Sequence, residues 1–279
     1  MSRIKQRFAA LAARREGALI PFIVAGDPDM QTSLRVMGAL ARAGADVLEL
    51  GVPFSDPLAD GPVNQAAYDR ALRNGATIDR VLDVVHQFRA TSQVPVVLMT
   101  YLNPVAQYGW RRFATSAAQA GVDGVLATDL PPEEAQAWLP HARAAGLDTI
   151  FLLAPTSPDS RIALVTKVAT GYIYCVSRLG VTGVRDQLPP EAHVLVERVR
   201  AVTADSRPEP VERSRAPVVP VVVGFGISRA EQVRAVCEFA DGAVVGSALV
   251  SLIAQHATDP DLESRVAGFA AELKAATAT

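Results

Sequence analysis

Short aliphatic and β-branched runs recur along the chain, each separated from the next by a longer stretch rich in alanine and arginine. The runs are Ala18 to Ala25, Asp46 to Gly51, Val94 to Thr100, Gly124 to Thr128, Thr149 to Ala154, Gly171 to Ser177, Val218 to Gly224 and Gly242 to Gly246. Each is the length of a buried strand, and each lacks the strict polar alternation of a half-exposed one. The stretches between them read as helices. Gly44, Gly75, Gly121, Gly146 and Gly171 supply left-handed stops, while Asp29, Pro158 after Ser157 and a capping box from Ser228 to Glu231 supply starts. No hairpin dipeptide joins one run directly to the next, so they run parallel, and eight βα units predict closure into a (β/α)₈ barrel. Ile4, Phe8 and Leu11 form one apolar stripe on an additional N-terminal helix, expected to cap the barrel bottom.

At 279 residues and 49% hydrophobic, the chain suits a single barrel domain spanning 1–279. The stretch 205–217, DSRPEPVERSRAP, opposes both helix and strand and reads as an inserted, mobile loop before strand seven. A formal charge of -2 without a long run of one sign argues against nucleic acid. Cys175 and Cys237 sit in no CxxC pattern and read as buried small hydrophobes, and there is neither a secretory h-region nor a membrane span. A cytoplasmic protein is expected.

Catalytic groups of such a barrel lie at the C-terminal ends of its strands. Strand parity sets Val47 and Glu49 on one face and Leu48 and Leu50 on the other, so Glu49 points into the barrel at that end. It is either functional or a core carboxylate paired to an arginine. Asp60 follows in a loop stiffened by Pro53, Pro57 and Pro62, where Asp-Gly alone reads as a turn; with Glu49 it forms a candidate acid and base pair. Glycine-rich turns follow the last three strands at 180–183, 224–228 and 246–247. Together they suit a phosphate site, though each singly suits an ordinary turn.

Lys5, Lys167 and Lys274 fall in helices away from strand ends, which leaves no Schiff-base lysine. His86, His141, His193 and His256 are scattered on helices or their flanks and suggest no metal cluster. An aldol-type cleavage here would need a leaving group that takes up the charge itself, as an indole ring protonated at C3 does.

LELGVPFSDPLADGP, with PFIVAGDP at 21–28, SRLGVTG at 177–183, GFGIS and VVGSA, resembles the tryptophan synthase alpha subunit family along nearly the whole chain. The resemblance implies cleavage of indole-3-glycerol phosphate to indole and glyceraldehyde 3-phosphate. It implies Glu49 as the acid/base at indole C3 and Asp60 as its partner at the indole N–H. Phe22 and Leu153 would form the ring wall, Tyr174 the pocket tyrosine and Thr182 a lid residue, with Gly183, Phe225, Gly226, Gly246 and Ser247 cradling phosphate. Under that wall Glu49 should have a raised pKa, whereas Asp60, on a loop nearer solvent, should stay ionised.

The family's alpha subunit carries no cofactor and binds a pyridoxal-phosphate beta subunit in an αββα assembly, for which Asp56 and Asn103 would be contact residues; in bare sequence each is equally a turn residue. The 205–217 insertion departs from the family pattern and should sit on the bottom face. Other readings are an indole-glycerol-phosphate synthase, which wants a strand-end lysine, and a pentose-phosphate epimerase, which wants a metal site. A non-catalytic activator would lack Glu49 or Asp60. A free-standing indole-producing lyase remains the alternative.

Overall fold

All eight apolar runs form strands. A computed structural model describes residues 1–176, 190–205, 219–224 and 226–278. The strands are β1 (Ala18–Val24), β2 (Leu48–Gly51), β3 (Val96–Thr100), β4 (Gly124–Ala127), β5 (Asp148–Leu153), β6 (Ile173–Val176), β7 (Val221–Gly224) and β8 (Gly242–Val245). They pair in parallel in sequence order and β8 closes on β1, giving a TIM barrel.

Around the barrel run twelve α-helices among the described residues. They are α1 (Arg3–Arg14), α2 (Met30–Arg42), α3 (Pro62–Arg73), α4 (Ile78–Arg89), α5 (Leu102–Tyr108), α6 (Trp110–Ala120), α7 (Leu139–Ala145), α8 (Asp159–Val168), α9 (Pro190–Asp205), α10 (Ala230–Cys237), α11 (Ser247–Gln255) and α12 (Leu262–Ala275). None of the described helices is long and apolar enough to cross a membrane.

Strand parity divides the core in two. Leu48, Leu50, Phe151, Leu153, Ile173 and Cys175 face the helices. Ile20, Phe22, Val47, Val97, Ile150, Tyr172 and Tyr174 fill the interior, and Ile4, Phe8 and Leu11 of α1 close it from below, with Phe8 6.0 Å from the Tyr172 ring. The N-terminal stripe is therefore a bottom cap.

Most local signals act where the sequence puts them. Asp29 Oδ1 accepts from Thr32 N at 2.8 Å and starts α2, and Gly44, Gly75, Gly121 and Gly146 all take positive φ after their helices. Two expectations fail. Gly171 has no positive φ: α8 ends at Val168 with Ala169 already extended, and Gly171 instead lies where a Cβ would press within 3.2 Å of Asp148 Cβ. The expected Ser228 to Glu231 box is shifted by one residue. Gln232, not Glu231, reaches back, its Oε1 accepting from Ser228 N at 2.8 Å and Arg229 N at 3.2 Å.

Acids mark the barrel bottom as well. Asp46 accepts from Leu19 N at 2.7 Å and pairs with Arg7 and Lys274. Asp123 accepts from Val96 N at 2.8 Å and pairs with Arg89 at 2.6 Å and Arg3 at 2.9 Å. Asp241 accepts from Val221 N at 2.7 Å. Each ties the start of one strand to the preceding turn of another element. The expected insertion, beyond Asp205, lies outside the described residues, but its flanks, the end of α9 and the start of β7, belong to this bottom face.

Candidate active site

Glu49 is completely buried, in register with Phe22 on β1 and Val97 on β3, and faces the barrel interior. The glycine two residues on makes room above it: a Cβ at Gly51 would sit 2.8 Å from the Phe22 ring. Gly224 does the same for Tyr174, whose hydroxyl would lie 2.1 Å from a Cβ there. These strand-end glycines let two aromatic rings close over the carboxyl.

Among the described residues no arginine meets Glu49. Its Oε1 accepts from the Tyr172 hydroxyl at 2.5 Å, and its Oε2 is buried without a partner. Burial disfavours the charged form more than one hydroxyl restores it, so the pKa rises to about 7. The carboxyl can therefore give or take a proton near neutrality. Among the described residues nothing supplies the arginine of the core-pair alternative.

Asp60 stands at the entry to α3 on the same side of the barrel. It is only 5% exposed, so the expectation of a loop acid near solvent is wrong. Burial raises its pKa, but the Tyr101 hydroxyl donates to Oδ2 at 2.6 Å and Asn64 Nδ2 donates to Oδ1 at 2.9 Å, and both favour the carboxylate. Gln65 Nε2 donates to its main-chain oxygen at 2.7 Å, fixing the backbone as well. The two acids thus differ in support: one partner hydroxyl for Glu49, a donor on each oxygen for Asp60.

Between them lies a cavity lined by Phe22, Glu49, Asp60, Asn64, Met99, Tyr174, Val244, Gly226, Gly246 and Ser247. The apolar members suit a flat ring. Gly246 precedes Ser247 at the first turn of α11, whose leading N–H groups have no intrahelical acceptor and can meet an anion. Among the described residues no group of three metal-ligating side chains forms.

Of the residues expected from sequence, Phe22, Glu49, Asp60, Tyr174, Gly226, Gly246 and Ser247 converge on this cavity. Thr182, Gly183 and Phe225 lie outside the described residues. Leu153 is misplaced: it faces the outer helices, and Leu152, in register with Tyr174, is the residue that follows Ile150 on the interior face of β5. Counting alternate residues from Ile150 would have found it. Tyr172 and Tyr101 could have been found the same way, since Tyr172 shares parity with Tyr174 and Tyr101 with Val97 and Met99; Asn64 left no such signal. Asp56 and Asn103 are exposed on the same end, after β2 and at the start of α5.

A profile of the tryptophan synthase alpha chain matches residues 8–278. This chain belongs to that family. It is 52% identical to the tryptophan synthase alpha chain of Burkholderia pseudomallei (strain 1106a) over 277 residues, 99% of this chain and 97% of that one. The Burkholderia multivorans alpha chain is likewise 52% identical with the same coverage. Among solved structures, Mycobacterium tuberculosis tryptophan synthase superposes with a TM-score of 0.87 at 36% identity, covering 100% of this chain and 99% of that one. Subunit alpha from Legionella pneumophila str. Paris gives 0.83 at 38%, covering 99% and 98%. In this alpha-chain family member, the resemblance and the cavity meet at the same end of the barrel.

Proposed function

We propose that this chain is the lyase of a tryptophan synthase, cleaving indole-3-glycerol phosphate by a retro-aldol reaction into indole and D-glyceraldehyde 3-phosphate. The observation that carries this reading is the Glu49 carboxyl, fully buried, facing an aromatic-walled cavity and titrating near 7. Glu49 protonates indole C3, and Asp60, held as carboxylate, stabilises the positive charge that then develops at the ring N–H. Breaking the bond from C3 to the side chain returns its electrons to the ring. The side-chain hydroxyl becomes the aldehyde and loses its proton, which the Glu49 carboxylate takes back. One carboxyl thus serves as acid and then base, and the indole ring is the only electron sink the step requires.

Phe22, Leu152 and Tyr174 hold the ring, and Gly226, Gly246 and Ser247 hold the phosphate, joined by Gly183 and Phe225, with Thr182 closing over Asp60. Indole then passes to a beta subunit bearing pyridoxal phosphate, in an αββα assembly in the cytoplasm. The contact runs through Asp56 and Asn103, and Leu58, 83% exposed in the loop of Asp56, is an apolar group that a partner would cover.

Indole release from indole-3-glycerol phosphate, measured with and without the cognate beta subunit, tests the reading. Release that rises when the partner is added is expected. No release with the partner present would overturn the lyase, and equal release without it would favour the free-standing enzyme.

A further inference from the structure

α3 turns Ala67, Tyr68 and Ala71 toward the barrel interior, where Tyr68 is fully buried in one cluster with Phe22, Met99 and Tyr101. Its hydroxyl reaches the end of β2: a Cβ at Gly51, two residues beyond Glu49, would meet it at 3.1 Å. The glycine that admits the Phe22 ring thus admits this phenol as well. The hydroxyl is buried with no hydrogen-bond partner among the described residues. A phenylalanine would fill the same space without leaving a polar group unmatched, so packing alone does not account for the tyrosine.

The group its O–H can serve is Asp60. Tyr68 lies one turn beyond Asn64 on the same face of α3, and Asn64 already donates to Asp60 Oδ1. The phenol stands close enough to the Asp60 carboxyl to favour its charged form, while the charge on Asp60 in turn holds the phenol neutral. A carboxylate accepts about four hydrogen bonds, and Tyr101 and Asn64 supply one to each oxygen, so room for a further donor remains. A ring entering the cavity displaces water and deepens the burial that already disfavours the charge on Asp60. Demand for a donor therefore rises as substrate binds. Tyr68 is not among the described residues that line the cavity, so it acts through Asp60 rather than by touching the ring.

We propose that Tyr68 is a positioning residue, a third donor whose O–H closes on the Asp60 carboxylate when substrate fills the cavity and keeps it charged and aimed. The inference rests on the lyase reading above and adds a residue to it. The titratable groups facing Asp60 among the described residues are Tyr101 after β3, Tyr68 of α3 and Tyr174 of β6, with Glu49 of β2 acting on Tyr68 and Tyr174. All three phenols are held neutral by burial and by the acids, which leaves Asp60 and Glu49 to set the limbs of the kcat profile. Asp60 works ionised and Glu49 works protonated, so kcat falls as pH drops through the Asp60 pKa and as pH rises through about 7.

Tyr68→Phe keeps the ring and removes the donor. Indole release would be followed for this variant and wild type from about pH 5 to about pH 9 with the beta subunit present. Loss of the hydroxyl should raise the Asp60 pKa and move the acid limb of kcat up by about one pH unit, leaving the alkaline limb in place, KM within about twofold and the circular dichroism spectrum unchanged. In an Asp60→Asn background, Tyr68→Phe should change the residual rate by less than about twofold, because the group it serves no longer titrates. An equal kcat loss in that background would overturn the proposal, and so would an alkaline limb that moves in place of the acid one, which would assign the hydroxyl to Glu49. An active wild type whose acid limb is matched by that of Tyr68→Phe defeats this inference alone; a wild type that releases no indole defeats it together with the lyase reading.

Discussion

At the bottom of the barrel, Asp46 and Asp123 each meet two basic side chains and a strand N–H, whereas at the top Glu49 meets one tyrosine hydroxyl and Asp60 only neutral donors. All four side chains are buried. Burial alone therefore does not mark a catalytic acid. The bottom acids have their charge cancelled, which fixes strand starts to helices and leaves nothing to do chemistry. The top acids keep an unmet demand: Glu49 has an oxygen without a partner, and both have pKa values pushed upward by burial.

Exchanging acid for amide at the top should produce the largest effect. Glu49→Gln and Asp60→Asn should each lower kcat for indole release by about 10² to 10⁴-fold, with circular dichroism little changed. Together they should lose far less than the product of the single losses, because both act in one step. Wild-type kcat should fall as pH rises through about 7, since the protonated Glu49 is the form that donates to carbon. Glu49→Gln retaining more than about a tenth of wild-type kcat would remove the glutamate from proton transfer.

The reverse pattern is expected below. Asp123→Ala strips Val96 N and leaves Arg89, whose side chain is only 10% exposed, without its partner. Breaking such a buried pair costs about 3–5 kcal/mol, so the urea midpoint should drop sharply. The folded fraction should nonetheless turn over at the wild-type kcat. A kcat loss comparable to that of Glu49→Gln would erase the distinction between the two ends.

How far the sequence reveals this division depends on the kind of signal. Alternation along a strand is strict, so Glu49 and the inward face of β2 could be read directly, and the same rule applied from Ile150 would have chosen Leu152 over Leu153. Left-handed glycine stops were legible at four helices, but at Gly171 the glycine answers a tertiary contact with Asp148, which no local pattern encodes. The burial of Asp60 was illegible for a related reason: its cover comes from Tyr101, 41 residues away, and a loop position gives no hint of it. The partners of the bottom acids were equally hidden, since Lys274 reaches Asp46 across 228 residues.

A third test sets pH against stability. Glu49 has a folded pKa of about 7 against an ordinary 4.5, so the native state binds the extra proton. Its contribution is then fully present below about 4.5 and is lost as pH rises through about 7, an amount on the order of 3 kcal/mol. Glutamine does not titrate. Glu49→Gln should accordingly unfold at a higher temperature than wild type at pH 8, with the gap closing by pH 4.5. A gap that does not change with pH would mean the buried carboxyl carries no such strain.

The smallest effect should come from shortening the segment that joins α9 to β7. Residues 206–215 connect the end of α9 to the approach of β7, and in sequence they carry Pro208 and Pro210, three arginines and two glutamates. Their attachment points lie at the opposite end of the barrel from Glu49, Asp60 and the start of α11. Replacing them with a three-residue linker changes a closure entropy that grows only with the logarithm of loop length, so unfolding should shift by about 1 kcal/mol or less. Indole release should keep its kcat and KM within about twofold. A large fall in kcat with folding intact would instead tie a segment attached at the bottom to the chemistry at the top, and would break the separation between the two ends.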